Sequence, residues 1–342
     1  MEKILSIGVP SYNAENTLRE CIDSFINTGM IEDIQIIIVN DGSKDSTSMI
    51  GHEYQDRFPN SIIVVDKENG GHGSGINASI KYAKGKYLKI VDSDDAVEKD
   101  GFVSLVNELK NTDADLVLSP YYIVRNGVRE FASYKRDDSK LKRTVCNINN
   151  ADGLKFAMHS MTYRTELLKN SIYRIDEYCF YVDVEYSLYY LADVENILLL
   201  CLPVYLYTVG TENQSVNIKN MQNNIEQHTH VCESLIKFYS DISDKLTNDT
   251  IIKLIRENII NMALNTEYRI IFSLVDIKKS KMYLLHIEEY AKKISPIIYN
   301  EIVNLGKKRG LKVISLLTIL RRINYNLYPL IRKVFWNKLK SF

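Results

Sequence analysis

The run Asp92-Ser93-Asp94-Asp95 directly follows an apolar stretch at 87–91. Carboxylates repel phosphate unless a divalent cation lies between them, and Mg2+ or Mn2+ binds one or two carboxylates together with phosphate oxygens. Asp92 and Asp94, two apart at the end of a strand, are spaced to turn one toward a nucleotide and one onto a metal. An Asp-rich polar turn closing a buried strand would read the same way. Ser11-Tyr12-Asn13 and Asn40-Asp41-Gly42-Ser43 follow two other apolar runs. The stretch Gly70-Gly71-His72-Gly73-Ser74-Gly75 invites a phosphate-loop reading. No Gly-Lys-Ser/Thr follows it, however, and Ile76 or Ala78 stands where the last glycine of G-x-G-x-x-G belongs. Its glycines are expected to let backbone pass close to a ligand at a helix N-terminus, with His72 facing that ligand or decorating the loop. His228, His230 and Cys232 also carry metal-binding groups, but on a helix His230 lies opposite the other two, so they read as structural.

Chemistry at these positions requires elements that bring them together. Residues 4–9 form a strand signal, and 14–27 a helix with apolar Leu18, Cys21, Ile22, Phe25 and Ile26 at helical spacing. The nearly continuous apolar run at 34–39 suits a strand buried on both faces. A helix at 45–57, a strand at 62–65, a helix at 76–84 and a strand at 87–91 continue the alternation. Such alternation implies a parallel sheet with helices on both faces, and ligands of such sheets bind beyond the carboxyl ends of the strands. All three polar clusters fall on those ends. From about 115 the pattern is mixed, with strands at 116–124 and 128–134 around the hairpin signal Asn126-Gly127 and short strands near 197–201 and 204–207. Beyond 217 the periodicity is helical, as in Ile251, Ile252, Leu254, Ile255, Ile259, Ile260 and Met262. The expected division is an α/β domain at 1–216 and a helical region at 217–342.

The 342 residues are 45% apolar and 25% charged, an ordinary globular composition that excludes long disorder and a disulfide scaffold. With 43 basic and 43 acidic residues the charge balances, which argues against a dedicated nucleic-acid binder. Its distribution is uneven. Every acidic residue lies at or before Glu301 and ten basic ones follow it, leaving −10 on residues 1–301 and +10 on the remainder. Five scattered cysteines with no C-x-x-C pair fit reduced thiols and a cytoplasmic location. The N-terminus reads as a strand rather than a signal peptide, and no apolar run approaches the roughly 20 residues of a membrane span. Segment 311–342 is cationic and amphipathic, with Arg321-Arg322, Tyr325, Tyr328 and Phe335-Trp336. Its expected partner is an anionic membrane surface, which would make the protein peripheral at the inner face of the plasma membrane. The alternatives are a solvated basic face on a packed helix, or a contact with the acidic catalytic domain in a homodimer formed through the helical region.

Taken in order, Val9-Pro10-Ser11-Tyr12-Asn13-Ala14-Glu15, Ile38-Val39-Asn40-Asp41-Gly42-Ser43-Lys44-Asp45, Glu68-Asn69-Gly70-Gly71 and Val91-Asp92-Ser93-Asp94-Asp95 resemble the family 2 inverting glycosyltransferases of the GT-A fold. The match spans roughly the first hundred residues and continues more weakly to about 216. The resemblance implies a Rossmann-like, mostly parallel sheet flanked by helices, and a nucleotide-sugar site, most consistent with a UDP-sugar. Pro10, Ser11, Tyr12 and Asn13 would lie along the nucleotide, and Asp41 would bind base or ribose. Asn69, Gly70 and Gly71 would border the donor, Asp92 and Ser93 would sit against the ribose, and Asp94 with Asp92 would hold Mn2+ or Mg2+ on the diphosphate. Gln214-Ser215 resembles an element that closes over the diphosphate. The family position of the general base falls on Asp183 in Tyr181-Val182-Asp183-Val184-Glu185-Tyr186, with Glu185 as the alternate and Phe180, Tyr181 and Tyr186 as an apolar wall. His159, Tyr163 and Asp95 are the candidate acceptor contacts. Two departures stand out, Ile76 where many relatives carry Arg, and Thr208 and Thr211 where an Arg often precedes the closing element.

The expected activity is metal-dependent, inverting transfer of a sugar to a hydroxyl of a cell-surface glycan or lipid-linked acceptor. The first alternative is a catalytically weak scaffold that binds sugar nucleotide at the membrane. A sugar nucleotidyltransferase fits less well, because residues 8–11 lack the Gly-rich loop with Arg and Lys of that class.

Overall fold

The structure, a computed structural model, describes residues 3–135, 141–210, 217–308 and 328. Thr211, Gln214, Ser215 and the basic segment 311–342 apart from Tyr328 therefore lie outside the described residues. The chain divides into two compact units, Met1–Thr211 and Glu212–Phe342.

The first unit is built on β1 (Leu5–Ser11), β2 (Ile34–Asp41), β3 (Ile62–Lys67), β4 (Tyr87–Ile90), β6 (Leu116–Leu118), β9 (Thr144–Asn147), β10 (Met161–Arg164) and β11 (Asn196–Leu199). They form one eight-stranded sheet in the order β3-β2-β1-β4-β10-β6-β11-β9. β10 and β9 run against the other strands. The sheet is mostly parallel for the reason visible in the chain: helices α1 (Leu18–Ile26), α2 (Thr47–Arg57) and α3 (His72–Tyr82) each return the chain to the same edge. Every residue of β2 is buried, and full burial of an Ile or Val side chain stabilises by about 1.5–3 kcal/mol. A four-stranded second sheet, β5-β12-β7-β8, uses β5 (Ala96–Val97), β7 (Tyr121–Arg125), β8 (Val128–Ala132) and β12 (Tyr205–Thr208). Helices α4 (Lys99–Lys110), α5 (Thr165–Asn170) and α6 (Asp183–Tyr189) complete the unit.

Three local expectations change. The strand expected at 116–124 is two strands, because Pro120 cannot donate to a ladder and the chain there leaves the large sheet for the small one. The hairpin after it turns at Asn126 (φ 49°) and Gly127 (φ 78°), the left-handed pair that a two-residue turn requires. Helix α3 begins at His72, four residues before the expected 76, so Gly73 and Gly75 are helical rather than loop residues.

The second unit contains α7 (Ile218–Asn223), α8 (Ile225–Ser243), α9 (Asp249–Asn258), α10 (Asn265–Ser273), α11 (Ile277–Ile294) and α12 (Pro296–Lys308). Asn248 caps α9 by accepting the Thr250 and Ile251 amides, and Asp276 caps α11 likewise through Lys278 and Lys279. A π-helical turn at Ile259–Leu264 joins α9 to α10. No helix among the described residues is long and apolar enough to cross a membrane.

Candidate active site

The register of the sheet assembles the site. Ser11 of β1 lies opposite Asn40 of β2, and Gly8 opposite Ile90 of β4, so the residues after each strand leave from one edge. Helix α3 is pressed against that edge: a Cβ on Gly8 would stand 2.3 Å from Ser79 Oγ, and one on Gly75 2.7 Å from Pro10 Cβ. This close packing delivers the N-terminus of α3 to the acidic cluster. There His72 Nε2 lies 2.7 Å from Asp92 Oδ1.

Around this pair the carboxylates converge. Burial opposes a charge on His72, but Asp92, Asp183 and Asp94 together outweigh it and raise its pKa. Asp92, whose burial works the other way, is held below the ordinary carboxylate range by His72 and, more weakly, His159. Asp94 is the exposed member of the run, Asp92 and Ser93 are half-buried, and Asp95 is buried. Asp183 is the first residue of α6 rather than its cap, and its charge reaches both His72 and Tyr207.

Two loops line the other side. Asn13 takes a left-handed conformation (φ 50°) that asparagine tolerates. Its amide donates to Ser43 Oγ and its Oδ1 accepts the Lys44 amide, tying the β1 loop to the β2 loop. Tyr12 is 53% exposed above them, while Ser11 is buried and donates to Val9 O. Asp41 is brought together with Asn69, Gly70 and Gly71. Its Oδ1 accepts Lys67 Nζ at 2.7 Å and the Gly70 amide at 2.9 Å, and its Oδ2 accepts the Gly71 amide at 2.7 Å. Asn69 Nδ2 donates to the Asp41 carbonyl. A nucleobase N–H would share a carboxylate already held by three donors.

Several expected roles are corrected. The glycines after 69 make room for the protein's own chain: a Cβ on Gly73 would stand 2.0 Å from Asp176 O, and one on Gly71 3.2 Å from Tyr178 N. Asp95 does not face an acceptor, because Tyr205 Oη donates to one oxygen at 2.6 Å and the Thr208 amide to the other at 2.7 Å. Burial first, then the charges of Asp92 and Asp94, push its carboxyl up to about 9. Tyr163 is a core side chain, fully buried against Tyr186 and Tyr190 with its hydroxyl directed to Ser187 O. Tyr186 packs there too and forms no wall beside Asp183. Glu185 cannot serve as a base at the surface, since it is fully buried and accepts the Asp176 amide through Oε2. Burial, with Asp176 nearby, lifts it to about 8. His159 does join the cluster. It lies among the rings of Tyr121, Tyr205 and Tyr207, and burial lowers it to about 4, so it is a neutral imidazole at neutral pH.

Other members escaped the sequence. Tyr205 Oη bridges the Asp92 amide and Asp95. Lys89, fully buried inside β4, donates to the carbonyls of His159 and Met161 and is lowered by burial to about 7. A lone lysine between Leu88 and Ile90 was the available signal. Asp92, Asp95 and His159 offer ligand atoms within 4.8 Å of one another. Asp95 already spends both oxygens on Tyr205 and Thr208, so the carboxylates left to meet a hard divalent ion are those of Asp92 and the exposed Asp94. A groove of about 920 Å³ lies along α3, β3 and residues 169–177, and none of the Asp92–Asp95 run lines it.

Residues 6–171 match the family model described as Glycosyl transferase family 2. The chain is 34% identical over 184 residues to the minor teichoic acid biosynthesis protein GgaB of Bacillus subtilis, which covers 51% of this chain and 19% of that protein. It is 31% identical over 216 residues to the uncharacterized glycosyltransferase EpsJ of the same organism, 60% of this chain and 61% of that one. It is 38% identical over 116 residues to a poly(ribitol-phosphate) beta-glucosyltransferase of Bacillus spizizenii, 33% of this chain and 18% of that one. The chain thus spans from about a fifth to three fifths of the length of these relatives. Among solved structures, residues 1–349 of S. aureus TarS in complex with UDP-GlcNAc superpose with a TM-score of 0.63 at 18% identity, covering 86% of this chain and 82% of that one. The same TarS segment without ligand gives 0.60. Four motifs at one sheet edge, the matched family model and the shared fold agree: residues 6–171 form a glycosyl transferase family 2 domain, with a GT-A-type fold.

Proposed function

We propose that the protein is a metal-dependent inverting glycosyltransferase that moves a sugar from a nucleotide sugar, a UDP-sugar, to a hydroxyl of a cell-surface glycan or lipid-linked acceptor. The observation that carries this reading is the meeting of Asp92, Asp94 and Asp183 around His72 at the carboxyl ends of the strands. Asp94 and Asp92 would hold Mg2+ or Mn2+, which when bound supplies neutralisation of charge on the leaving diphosphate. Pro10, Tyr12, Asn13 and Asp41 would line the nucleotide, a reading supported by the joining of their loops and by the 53% exposure of Tyr12. Asp183, two helix-forming residues from the buried Glu185, accepts the proton of the acceptor hydroxyl while that oxygen attacks the anomeric carbon opposite the diphosphate. His72 holds Asp92 in place, and the carboxylates around it favour its protonated form. The teichoic acid and poly(ribitol-phosphate) activities named for two relatives support a hydroxyl-rich wall polymer as the acceptor.

The test is a thermal-shift comparison of UDP-, GDP- and dTDP-sugars with Mn2+, followed by donor hydrolysis. A UDP-sugar should raise the melting temperature by mass action, and Asp94→Ala should abolish both the metal-dependent part of that rise and hydrolysis. Equal hydrolysis by wild type and Asp94→Ala would remove the catalytic reading.

A further inference from the structure

One face of the small sheet carries three tyrosines. Tyr205 and Tyr207 are two apart on β12 and so share a face, and Tyr121 of β7 lies in register with Tyr205. The ring of His159 is held by all three, with its centroid 4.0 Å from that of Tyr207, 4.9 Å from Tyr205 and 5.4 Å from Tyr121. Its main chain is also fixed. His159 lies in the short turn Met158–Ser160 that leads into β10, and the buried Lys89 of β4 donates to its carbonyl at 2.8 Å and to that of Met161 at 3.2 Å. Among the described residues neither ring nitrogen of His159 has a hydrogen-bond partner. One of them lies within 4.8 Å of a carboxylate oxygen of Asp92. Asp92 gives Oδ1 to His72, and its Oδ2 bonds to no described residue.

We infer that His159 supplies a nitrogen ligand, alongside Asp92 and Asp94, to the divalent cation of this site, and that the site therefore favours a transition ion such as Mn2+ over Mg2+. The inference rests on the glycosyltransferase reading above and deepens it by choosing between the two ions. Two ligands of one ion, each at about 2.0–2.2 Å, can stand up to roughly 4 Å apart. A small movement of the Asp92 carboxylate brings it and the clamped ring to that separation. Mg2+ takes oxygen ligands in a near-octahedral shell, whereas imidazole suits first-row transition ions. A metal-ligating histidine has to be neutral, which is the form that burial imposes on His159. His72 is the weaker candidate, because it already spends Nε2 on Asp92 and its surroundings favour a proton. Lys89 and the three tyrosines are then positioning groups, which fix the direction of the ring as partners around a metal site do.

The experiment is electron spin-echo envelope modulation on the full chain loaded with Mn2+, alone and with UDP. Coupling to a directly bound nitrogen nucleus is expected in wild type, lost in His159→Gln and kept in His72→Asn. In calorimetric titrations wild type should bind Mn2+ more tightly than Mg2+. His159→Gln should weaken Mn2+ binding by at least about tenfold, the lower end of what loss of an outer-shell partner costs. It should change Mg2+ binding less, because glutamine offers an oxygen in place of the nitrogen. A purely structural role for His159 would weaken both ions alike. Melting temperature and circular dichroism check that the variants fold, and the wild-type spectrum decides the matter even where a variant does not. Saturable Mn2+ binding without nitrogen coupling, or coupling that survives in His159→Gln, overturns the ligand and leaves the transferase reading standing. No Mn2+ binding, with UDP or without it, removes the metal-dependent reading and the ligand with it.

Discussion

Each unit of the molecule contains histidines bonded to carboxylates, and two of these pairs, His72–Asp92 and His228–Glu267, differ in everything around them. In the first unit His72 and Asp92 meet at 2.7 Å with side chains 27% and 25% exposed, amid the further carboxylates of Asp94 and Asp183. In the second, His228 Nδ1 and Glu267 Oε2 meet at 2.6 Å with side chains 5% and 0% exposed. There the second oxygen of Glu267 accepts the Thr229 hydroxyl, and Cys232 Sγ lies 3.7 Å from His228. The buried group is shut away from solvent and staples α8 to α10. The open group has more negative charge than its cations balance and a face toward solvent. Surplus charge with access, rather than the presence of His and Glu, separates a reactive site from a structural one.

The comparison can be broken at either pair. The largest effect is expected at the open site: Asp183→Asn should lower kcat/KM by about 10²–10⁴-fold, the usual worth of a general base, with the melting temperature unchanged. Loss of stability without loss of rate would reverse the assignment. At the closed site the effect should fall on stability instead. His228→Ala strands the Glu267 carboxylate and should cost about 3–5 kcal/mol in denaturant unfolding of the helical unit. A paired His228→Leu, Glu267→Leu change should recover much of that, and failure to do so would mean that the pair does more than fill space.

Glu185 gives a smaller effect with a defined sign. Its carboxyl titrates near 4.5 when free and at about 8 in the fold, by burial. Between those values the folded chain keeps a proton that the unfolded chain has released, so stability falls as pH rises through this window and levels off above it. Glu185→Gln should flatten that slope and raise stability at pH 8.5 by on the order of 2 kcal/mol, measured as urea midpoints across pH. The smallest change is expected for His72→Asn. It removes the group that orients Asp92 and should cost about tenfold in kcat/KM, as the loss of an outer-shell partner does, with little change in melting temperature.

Alternating apolar and helical runs determined that Ser11–Asn13, Asp41 and Asp92–Asp94 leave from one sheet edge, because parallel strands return by helices and all end on the same side. The left-handed turn at Asn126-Gly127 was equally local, written in two residues that tolerate positive φ. Direction and depth were decided elsewhere. Asp95 points into the protein because Tyr205 and Thr208, more than a hundred residues later, satisfy both its oxygens. Glu185 is buried because residues 175–178 lie across it, and the glycines at 71 and 73 serve that same crossing. The Tyr163, Tyr186 and Tyr190 rings meet only when β10 packs on α6 and the turn after it. Periodicity along a chain sets which residues share an edge or a face. Whether a given carboxylate ends in water or under another segment depends on what packs over it, and that information lies at distant positions that only the folded structure brings near.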